Sequence, residues 1–411
     1  MKKNIFFWSL YDFANSIVMI VFLFYFSQWL VVDSGKPDWW YNATLVISSV
    51  LFILTAPVAG QRLDSTAKKL RGMRIATALT FLLFLSTALI TLFAPQLVLL
   101  ATILYTLSFY FYLMCFVYYT PMINDLSSNE NRGWVSGLGL GANSLGQVFG
   151  LLITLPFATG SWYLFGAHGR AQTLLPAVIL FAILALPMMF SYKDNLISKV
   201  SSKLDIVNEY KNIFATIKKI FSVRNLSLLL IAYFFFSDAL LTFSNNFPIF
   251  LERVFGASDS VKTYLSAGIL LLSGIGSIIF GKVADKKGSK FTLKFLLICW
   301  VVLFPAIAFA PSLSVEVVIC LVAGLLFGPV WGVSRSMVAE YTPKDISSSA
   351  FSFYTIAERF ATFVGPIAWS IVLVTNESKG AVSYSYAIVS LGALTLIGLW
   401  IINMIKPGNA Q

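Results

Sequence analysis

The stretch that decides the fold is Gly281–Lys290, which reads Gly-Lys-Val-Ala-Asp-Lys-Lys-Gly-Ser-Lys between two long apolar runs. A short, basic, glycine-containing segment between apolar helices is typical of a cytoplasmic hairpin loop in a membrane protein. The stretch Gly60–Lys69 has the same layout, and in both copies the glycine stands four residues before an aspartate. Because the copies are 221 residues apart, about half the chain, they indicate two similar halves.

The composition of the 411 residues is that of an integral membrane protein. Hydrophobic residues make up 58% and charged residues 11%, whereas soluble domains carry about 25% charged residues. Spans of about 20 apolar residues must be helices, because irregular backbone is excluded from lipid. Twelve spans, numbered 1 to 12 below, are predicted at residues 5–32, 38–61, 73–94, 96–121, 133–157, 172–192, 225–251, 261–282, 291–310, 313–341, 347–374 and 381–405.

The predicted fold class is therefore an all-α membrane protein with twelve transmembrane helices in two six-helix pseudo-symmetric bundles. A signal peptide is the competing interpretation of span 1. The length of that span, its Asp12 and the lack of a small-residue cleavage site argue against a signal peptide. The predicted domains are an N-terminal bundle at 1–193, a cytoplasmic amphipathic linker at 194–224 and a C-terminal bundle at 225–411. The linker alternates apolar residues with lysines at roughly helical spacing, which favours a helix on the inner membrane surface over a peptide-binding regulatory segment.

Lysine and arginine residues determine the predicted orientation. With both termini in the cytoplasm, 22 of them lie on the cytoplasmic side and 5 on the far side, which is the bias expected of a membrane protein. The same bias explains the net charge of +11 without a nucleic-acid partner, because short basic loops face an anionic leaflet. We expect a multi-pass protein of a bacterial inner (plasma) membrane.

Span 1 carries the first candidate for a functional site, Asp12. A charged residue inside an apolar helix costs about 2.5–3.5 kcal/mol on insertion scales, and it is tolerated where it faces a cavity or a partner. Asn15 and Ser16 follow three and four residues later and therefore lie on the same helix face. We expect Asp12 and Asn15 to contact substrate or a proton; an acid that only packs helices together is the alternative.

Span 7 carries a second acid, Asp238, followed by Thr242 and Asn245. Apolar residues on both sides disfavour the charged form of its carboxyl group, so Asp238 is the best single candidate for a proton site. The repeat maps Asp12 to position 233, which is ~7.5 Å from Asp238 along a helix axis. The two acids would then lie near a midplane site. A packed polar residue satisfied by Asn or Ser neighbours is the alternative for Asp238.

Spans 10 and 11 contribute three further charged candidates, Arg335, Glu358 and Arg359. Adjacent residues point about 100° apart on a helix, so Glu358 and Arg359 each need a separate partner. Arg335 can pair with Glu358 across the hairpin, and Arg359 with an acid of another helix. A substrate clamp and a structural ion pair both fit this pattern. Together with Asp12 and Asp238 the charges sum to −1, which suits a zwitterion or a cation more than an anion.

Span 5 contains a glycine-rich stretch, Gly137–Gly150. No strand precedes it, so a nucleotide-binding loop is rejected. Gly137 with Gly141, and Gly146 with Gly150, are spaced as in small-residue helix-packing faces. Cys115, Cys299 and Cys320 are spread over separate spans, and the single histidine, His168, lies in an outer loop. We therefore expect no metal, no cofactor and no catalytic residue, and energy from an ion gradient.

The second basic copy resembles the Gly-x-x-x-Asp-[Arg/Lys]-x-Gly-x-[Lys/Arg] loop of the major facilitator superfamily, through Gly281, Asp285, Lys286, Gly288 and Lys290. The first copy departs from it, because Ser65 replaces the basic residue and Ala67 the second glycine. An ordinary charged turn is the alternative for either copy alone. The segment Trp8–Ser16, the Asp-x-x-x-Thr of span 7, the Ser-Arg-Ser of span 10 and the Gly-Pro of span 11 resemble one branch, the vacuole effluxers. That branch comprises fungal vacuolar amino-acid effluxers and bacterial relatives.

The resemblance implies a secondary active transporter that works by alternating access. We expect proton-coupled export of a small polar solute such as an amino acid by a monomer in the lipid bilayer. A flippase or exporter of lipids or amphipathic compounds on the same fold is the alternative. A membrane enzyme or a receptor would be a third class, but the sequence shows no nucleophile and base. The gating loops implied by the motif contain Gly60, Asp64, Gly281, Asp285, Lys286 and Gly288.

Overall fold

The computed structural model describes residues 2–66, 69–127, 132–192, 211, 215, 218–342 and 363–406. Contacts within the chain divide it into two units, Met1–Glu209 and Tyr210–Gln411, called the first and second unit below. The described part contains eleven helices that are long and apolar enough to cross a membrane, and a shorter apolar helix, Val364–Thr375. The predicted all-α membrane fold with twelve helices in two bundles is confirmed.

The first unit contains spans 1 to 6. Span 1 packs against spans 5 and 6, and span 4 packs against spans 2 and 3. A 3-10 turn and a short helix, Ile123–Leu126, follow span 4. The six helices are Lys2–Val21 with a continuation to Asp33, Asp38–Thr66, Lys69–Phe93, Val98–Tyr119, Arg132–Ala158 and Ala171–Ser191.

The outer part of span 1 is not a regular α-helix. Phe22–Phe26 and Trp29–Asp33 are π-helical, a form that is rare and frequent at functional sites. Two side chains donate hydrogen bonds to the backbone of this segment. Ser27 Oγ donates to the Phe24 carbonyl oxygen at 3.0 Å, and Gln28 Nε2 donates to the same oxygen at 2.8 Å. Both of these polar side chains are fully buried, so the backbone carbonyl also satisfies them.

The second unit contains spans 7 to 12. Span 8 packs against span 10, span 12 against spans 7 and 9, and span 11 against spans 7 and 12. Residues 343–362, which include Glu358 and Arg359, lie outside the described residues. The described helices are Arg224–Phe255, Asp259–Lys287, Ser289–Ala308, Leu313–Tyr341, Val364–Thr375 and Val382–Met404.

Spans 8 and 10 approach each other so closely that glycine is required at the contact. A Cβ atom added to Gly276 would overlap the backbone of Leu325, and one added to Gly324 would lie 3.0 Å from the Ile269 Cα atom. Small residues permit such backbone approach in membrane helices. The contacts advance in the same direction along both helices, so spans 8 and 10 run parallel within the second unit.

The basic motif is mostly helical, contrary to the predicted loop. Span 8 continues through Asp285 and Lys286 to Lys287, and span 9 begins at Ser289. Only Gly288 forms the turn, with a φ of 90°, in the left-handed region that favours glycine. The two lysines in the last turn suit the negative end of the helix dipole. The first copy behaves similarly, because Gly60 and Asp64 fall within the helix Asp38–Thr66.

Candidate functional site

Asp12 is held by span 5 of its own unit. Its side chain is buried, and its Oδ1 atom accepts a hydrogen bond of 3.1 Å from Asn143 Nδ2. Asn143 Oδ1 in turn accepts a bond of 2.7 Å from Gln147 Nε2, one helical turn further along span 5. The carboxylate therefore belongs to a chain of amide hydrogen bonds that fixes the Asn143 side chain and orients it toward Asp12.

An aromatic pair from spans 1 and 4 forms another wall around Asp12. The Trp8 and Tyr119 rings stack in parallel with centroids 4.7 Å apart. The Tyr119 hydroxyl donates to the Trp8 carbonyl oxygen at 3.2 Å and also interacts with the Asp12 carboxylate. Gly139 of span 5 allows this packing, because a Cβ atom there would lie 2.7 Å from the Trp8 indole. Spans 1, 4 and 5 thus enclose the acid.

Two polar side chains beside Asp12 have no hydrogen-bond partner among the described residues. Asn15 is 1% exposed and Ser16 is 2% exposed, yet both amide atoms of Asn15 and the Ser16 hydroxyl are unsatisfied. Leaving a buried polar group unpaired costs about 1–3 kcal/mol. The helix face of Asp12 therefore also carries a buried amide and a buried hydroxyl with unused hydrogen-bonding capacity, which a polar ligand or a water molecule would satisfy.

Asp238 is fully buried and meets the beginning of the described part of span 11. Its Oδ2 atom accepts a hydrogen bond of 2.7 Å from the Gly365 backbone N–H, and its Oδ1 atom lies 3.4 Å from Thr242 Oγ1. Gly365 is the second residue of the helix Val364–Thr375. A carboxylate at a helix N-terminus satisfies a free N–H and is favoured by the helix dipole.

The other candidates of the second unit have different surroundings. Asn245 is half-buried two turns after Asp238, while its neighbour Asn246 donates to the Thr242 carbonyl oxygen at 2.9 Å. Arg335 is exposed on span 10, as are Asp285 and Lys286 at the end of span 8. Glu358 and Arg359 lie outside the described residues, so the pairing of Glu358 with Arg335 and that of Arg359 with an acid of another helix stay predictions.

The two acids occupy corresponding places in their units. Asp12 lies on the first span of the first unit and bonds to the fifth span, and Asp238 has the same relation to spans 7 and 11. Sequence reasoning found both acids but missed their partners Asn143 and Gly365. The available signal was the position of both partners in glycine-containing stretches of the fifth span of each half, where close helix contact is expected.

Each unit has a buried basic residue that is paired with acids. Arg170, which precedes span 6, contacts Asp33 at the end of span 1 at 2.6 Å. Lys262 is fully buried near the start of span 8 and contacts Glu252 at 2.5 Å and Asp259 at 2.9 Å. These contacts make the two basic residues parts of ion pairs rather than a free positive surface. Within the described ranges no cluster of three or more His, Cys, Asp or Glu side chains is suited to a metal.

The comparisons with known proteins agree with this architecture. Residues 228–409 match the sequence model of the Major Facilitator Superfamily. The chain is 24% identical to the uncharacterized MFS-type transporter YxiO of Bacillus subtilis (strain 168), over 96% of this chain and 93% of that protein. It is 23% identical to a multi-drug resistance efflux pump PmrA homolog of Lactococcus lactis subsp. lactis (strain IL1403), over 97% and 93% of the two chains.

A solved structure extends the similarity to the fold of both units. The crystal structure of a bacterial homolog to the human lysosomal transporter Spinster, in an inward-facing and unoccupied conformation, has a TM-score of 0.78. It is 12% identical and covers 98% of this chain and 96% of its own. The chain therefore has the fold of that transporter, and the sequence model of the Major Facilitator Superfamily matches its second unit.

Proposed function

We propose that this protein is a proton-coupled secondary transporter of the major facilitator superfamily that exports a small polar solute, such as an amino acid, by alternating access. One observation carries the proposal: each unit places a buried carboxyl group on its first span, hydrogen-bonded to its fifth span. An intramembrane acid is retained where it serves a pathway or a proton relay.

Protonation of Asp238 would change the contact between spans 7 and 11. The ionised carboxylate accepts the Gly365 N–H bond at 2.7 Å, and a charge-assisted bond of this kind is about twice as strong as a neutral one. Binding a proton removes the charge and weakens the attachment of the span 11 helix. Proton binding and helix position are then coupled, which is what a proton-driven transporter requires.

The first unit supplies the groups for a polar solute. Asp12 attracts a cationic group, while the unsatisfied amide of Asn15 can both donate and accept hydrogen bonds. Ser16 adds a hydroxyl. This set suits an ammonium group with adjacent polar atoms, as in an amino acid. We also propose that Arg335, Glu358 and Arg359 of the second unit take part in the transport pathway, and that the helix ends that contain Asp64 and Asp285 act in gating.

The test begins with a thermal-shift screen of amino acids on the purified protein, because a ligand of the native state stabilises by mass action. The stabilising solute is then assayed in proteoliposomes with and without an imposed pH difference. Asp238→Asn should retain exchange of the solute but lose accumulation driven by the pH difference. Thr242→Val, which removes the neighbouring hydroxyl but keeps the carboxyl, is the matched control and should still accumulate solute. Accumulation by Asp238→Asn at the wild-type level would refute Asp238 as the coupling site.

Export of amphipathic compounds is the second candidate function. A groove of about 480 Å³ lies between spans 1 and 5 of the first unit, and its lining is mostly apolar: Ser9, Trp134, Gly137, Leu138, Gly141, Ala142 and Leu145. The similarity to a multi-drug efflux pump homolog favours the same class of substrate. Stabilisation by hydrophobic cations, with no response to amino acids, would select this alternative.

We propose that the protein is a monomer of the vacuole-effluxer branch in a bacterial inner membrane. Both termini would face the cytoplasm, as the distribution of basic residues along the sequence favours.

A further inference from the structure

Glu316 of span 10 is a buried acid that the proposed mechanism does not use. It is the fourth residue of the helix Leu313–Tyr341, and its side chain is fully buried. Its Oε1 atom accepts a hydrogen bond of 3.0 Å from the Cys320 thiol, one turn further along the helix. Its Oε2 atom has no hydrogen-bond partner among the described residues.

The position of Glu316 near a helix N-terminus does not explain its burial. Ser312 caps this helix: its Oγ atom accepts from the Val315 N–H at 3.4 Å, and its carbonyl oxygen accepts from the Glu316 N–H at 3.0 Å. The Glu316 carboxyl group instead contacts Cys320, toward the middle of the helix. It therefore accepts from a weak thiol donor and not from the N–H groups that stabilise an ionised acid at a helix start.

No positive charge compensates Glu316 in the described part of the molecule. Spans 7, 8 and 9 pack against span 10, and none of their basic side chains forms an ion pair with Glu316 there. Lys262, near the same end of span 8, is held by Glu252 and Asp259. The remaining charged or titratable side chains of these three spans are Arg224, Tyr233, Asp238, Arg253, Tyr264, Lys282, Asp285, Lys286, Lys287, Lys290, Lys294 and Cys299.

We infer that Glu316 is a proton-binding site of the second unit, separate from Asp238, with the proton on the unpartnered Oε2 atom. An ionised carboxylate is costly where it is buried with neither a counter-charge nor full hydrogen bonding. In the neutral acid the carbonyl oxygen Oε1 accepts the thiol hydrogen of Cys320. This inference stands on the geometry of Glu316 and gives the proposed proton-coupled transporter a second proton-carrying residue.

Infrared difference spectroscopy tests the protonation of Glu316 directly, without a known solute. At neutral pH the wild type should show one C=O stretching band of a protonated carboxyl group that is absent from the spectrum of Glu316→Gln. Cys320→Ala should keep this band but move it to higher frequency, since the thiol donor is lost. Asp238→Asn should leave it in place.

Two results would overturn the inference. One is that Glu316→Gln removes only carboxylate stretches, which would show an ionised Glu316. The other is that no protonated-carboxyl band moves in Cys320→Ala, which is the decisive variant if Glu316→Gln does not fold. Failure of the proposed transport function has a different signature: accumulation would not respond to a pH difference, while the Glu316 band would remain.

Discussion

The Gly365 backbone N–H donates a hydrogen bond of 2.7 Å to the Asp238 carboxylate. This contact joins spans 7 and 11 across 127 residues of sequence. Glycine is needed for it, because a Cβ atom at position 365 would overlap Thr242 Oγ1 and lie 2.9 Å from the Asp238 carbonyl oxygen. Gly365 therefore both binds the Asp238 carboxylate through its backbone N–H and permits the close approach of spans 7 and 11.

Gly365→Ala should destabilise the protein by about 1–3 kcal/mol, the usual cost of overpacking a tight contact. The measurement is thermal unfolding of the purified protein in detergent. Gly274→Ala on span 8 is the control, because an added Cβ atom meets nothing within 4 Å there. This variant should be unchanged or more stable by up to about 1 kcal/mol, as alanine favours helix over glycine. Equal effects of the two substitutions would contradict the close contact at Gly365.

The glycines of span 5 should fall into two classes. Gly146 packs on the Phe13 backbone, where a Cβ atom would overlap the carbonyl oxygen, whereas Gly141 has open space around it. Gly146→Ala should therefore lower the melting temperature, because spans 1 and 5 must move apart. Gly141→Ala should leave it unchanged or raise it. Of the two predicted packing pairs, Gly146 with Gly150 contacts another helix in the described structure, whereas Gly137 with Gly141 does not. A lower melting temperature for Gly141→Ala than for Gly146→Ala would rule out this difference between the pairs.

The bond between Asp12 and Asn143 should give a measurable coupling energy. A double-mutant cycle with Asp12→Ala and Asn143→Ala isolates the pair from the general effects of each substitution. We expect about 1.5–3 kcal/mol, the range for hydrogen bonds to a charged group. Ser144, the exposed neighbour of Asn143, provides the control cycle with Asp12. Additive effects in the Asn143 cycle would mean that this bond contributes nothing to stability.

Cysteine labelling tests the orientation. In a variant in which Cys115, Cys299 and Cys320 are replaced by alanine, a cysteine at Ser289 should react with a membrane-impermeant thiol reagent only from the cytoplasmic side. A cysteine at Ser161, which is exposed between spans 5 and 6, should react only from the opposite side. The physical reason is the excess of basic residues in the predicted cytoplasmic loops. The same side of reaction for both positions would refute the predicted topology.

The sequence predicted the helical spans well because length and apolarity determine what can cross a bilayer. Their ends were harder to predict. Gly281–Lys287 is polar and basic, and such a segment suits a loop or the last turns of a helix in water equally well. The structure extends span 8 as a helix to Lys287 and leaves a single residue, Gly288, for the turn.

The acids of the candidate site were predictable, but their contacts were not. Asp12 and Asp238 are conspicuous because each is a charge within an apolar run. Asn143 and Gly365 lie 131 and 127 residues away from them, so these contacts depend on how two helices pack. The buried Glu316 was missed because, in sequence, it looks like an ordinary acid in the first turn of a helix.

The π-helical segments of span 1 change how the two halves compare. Asp12 stands 48 residues before Gly60, but Asp238 stands only 43 residues before Gly281. A π-helical turn holds about one residue more than an α-helical turn, and span 1 has two such segments while span 7 is α-helical throughout. About two of the five extra residues are thus absorbed inside the membrane. The internal repeat therefore has no constant offset, and any alignment of the halves must place gaps within span 1 itself.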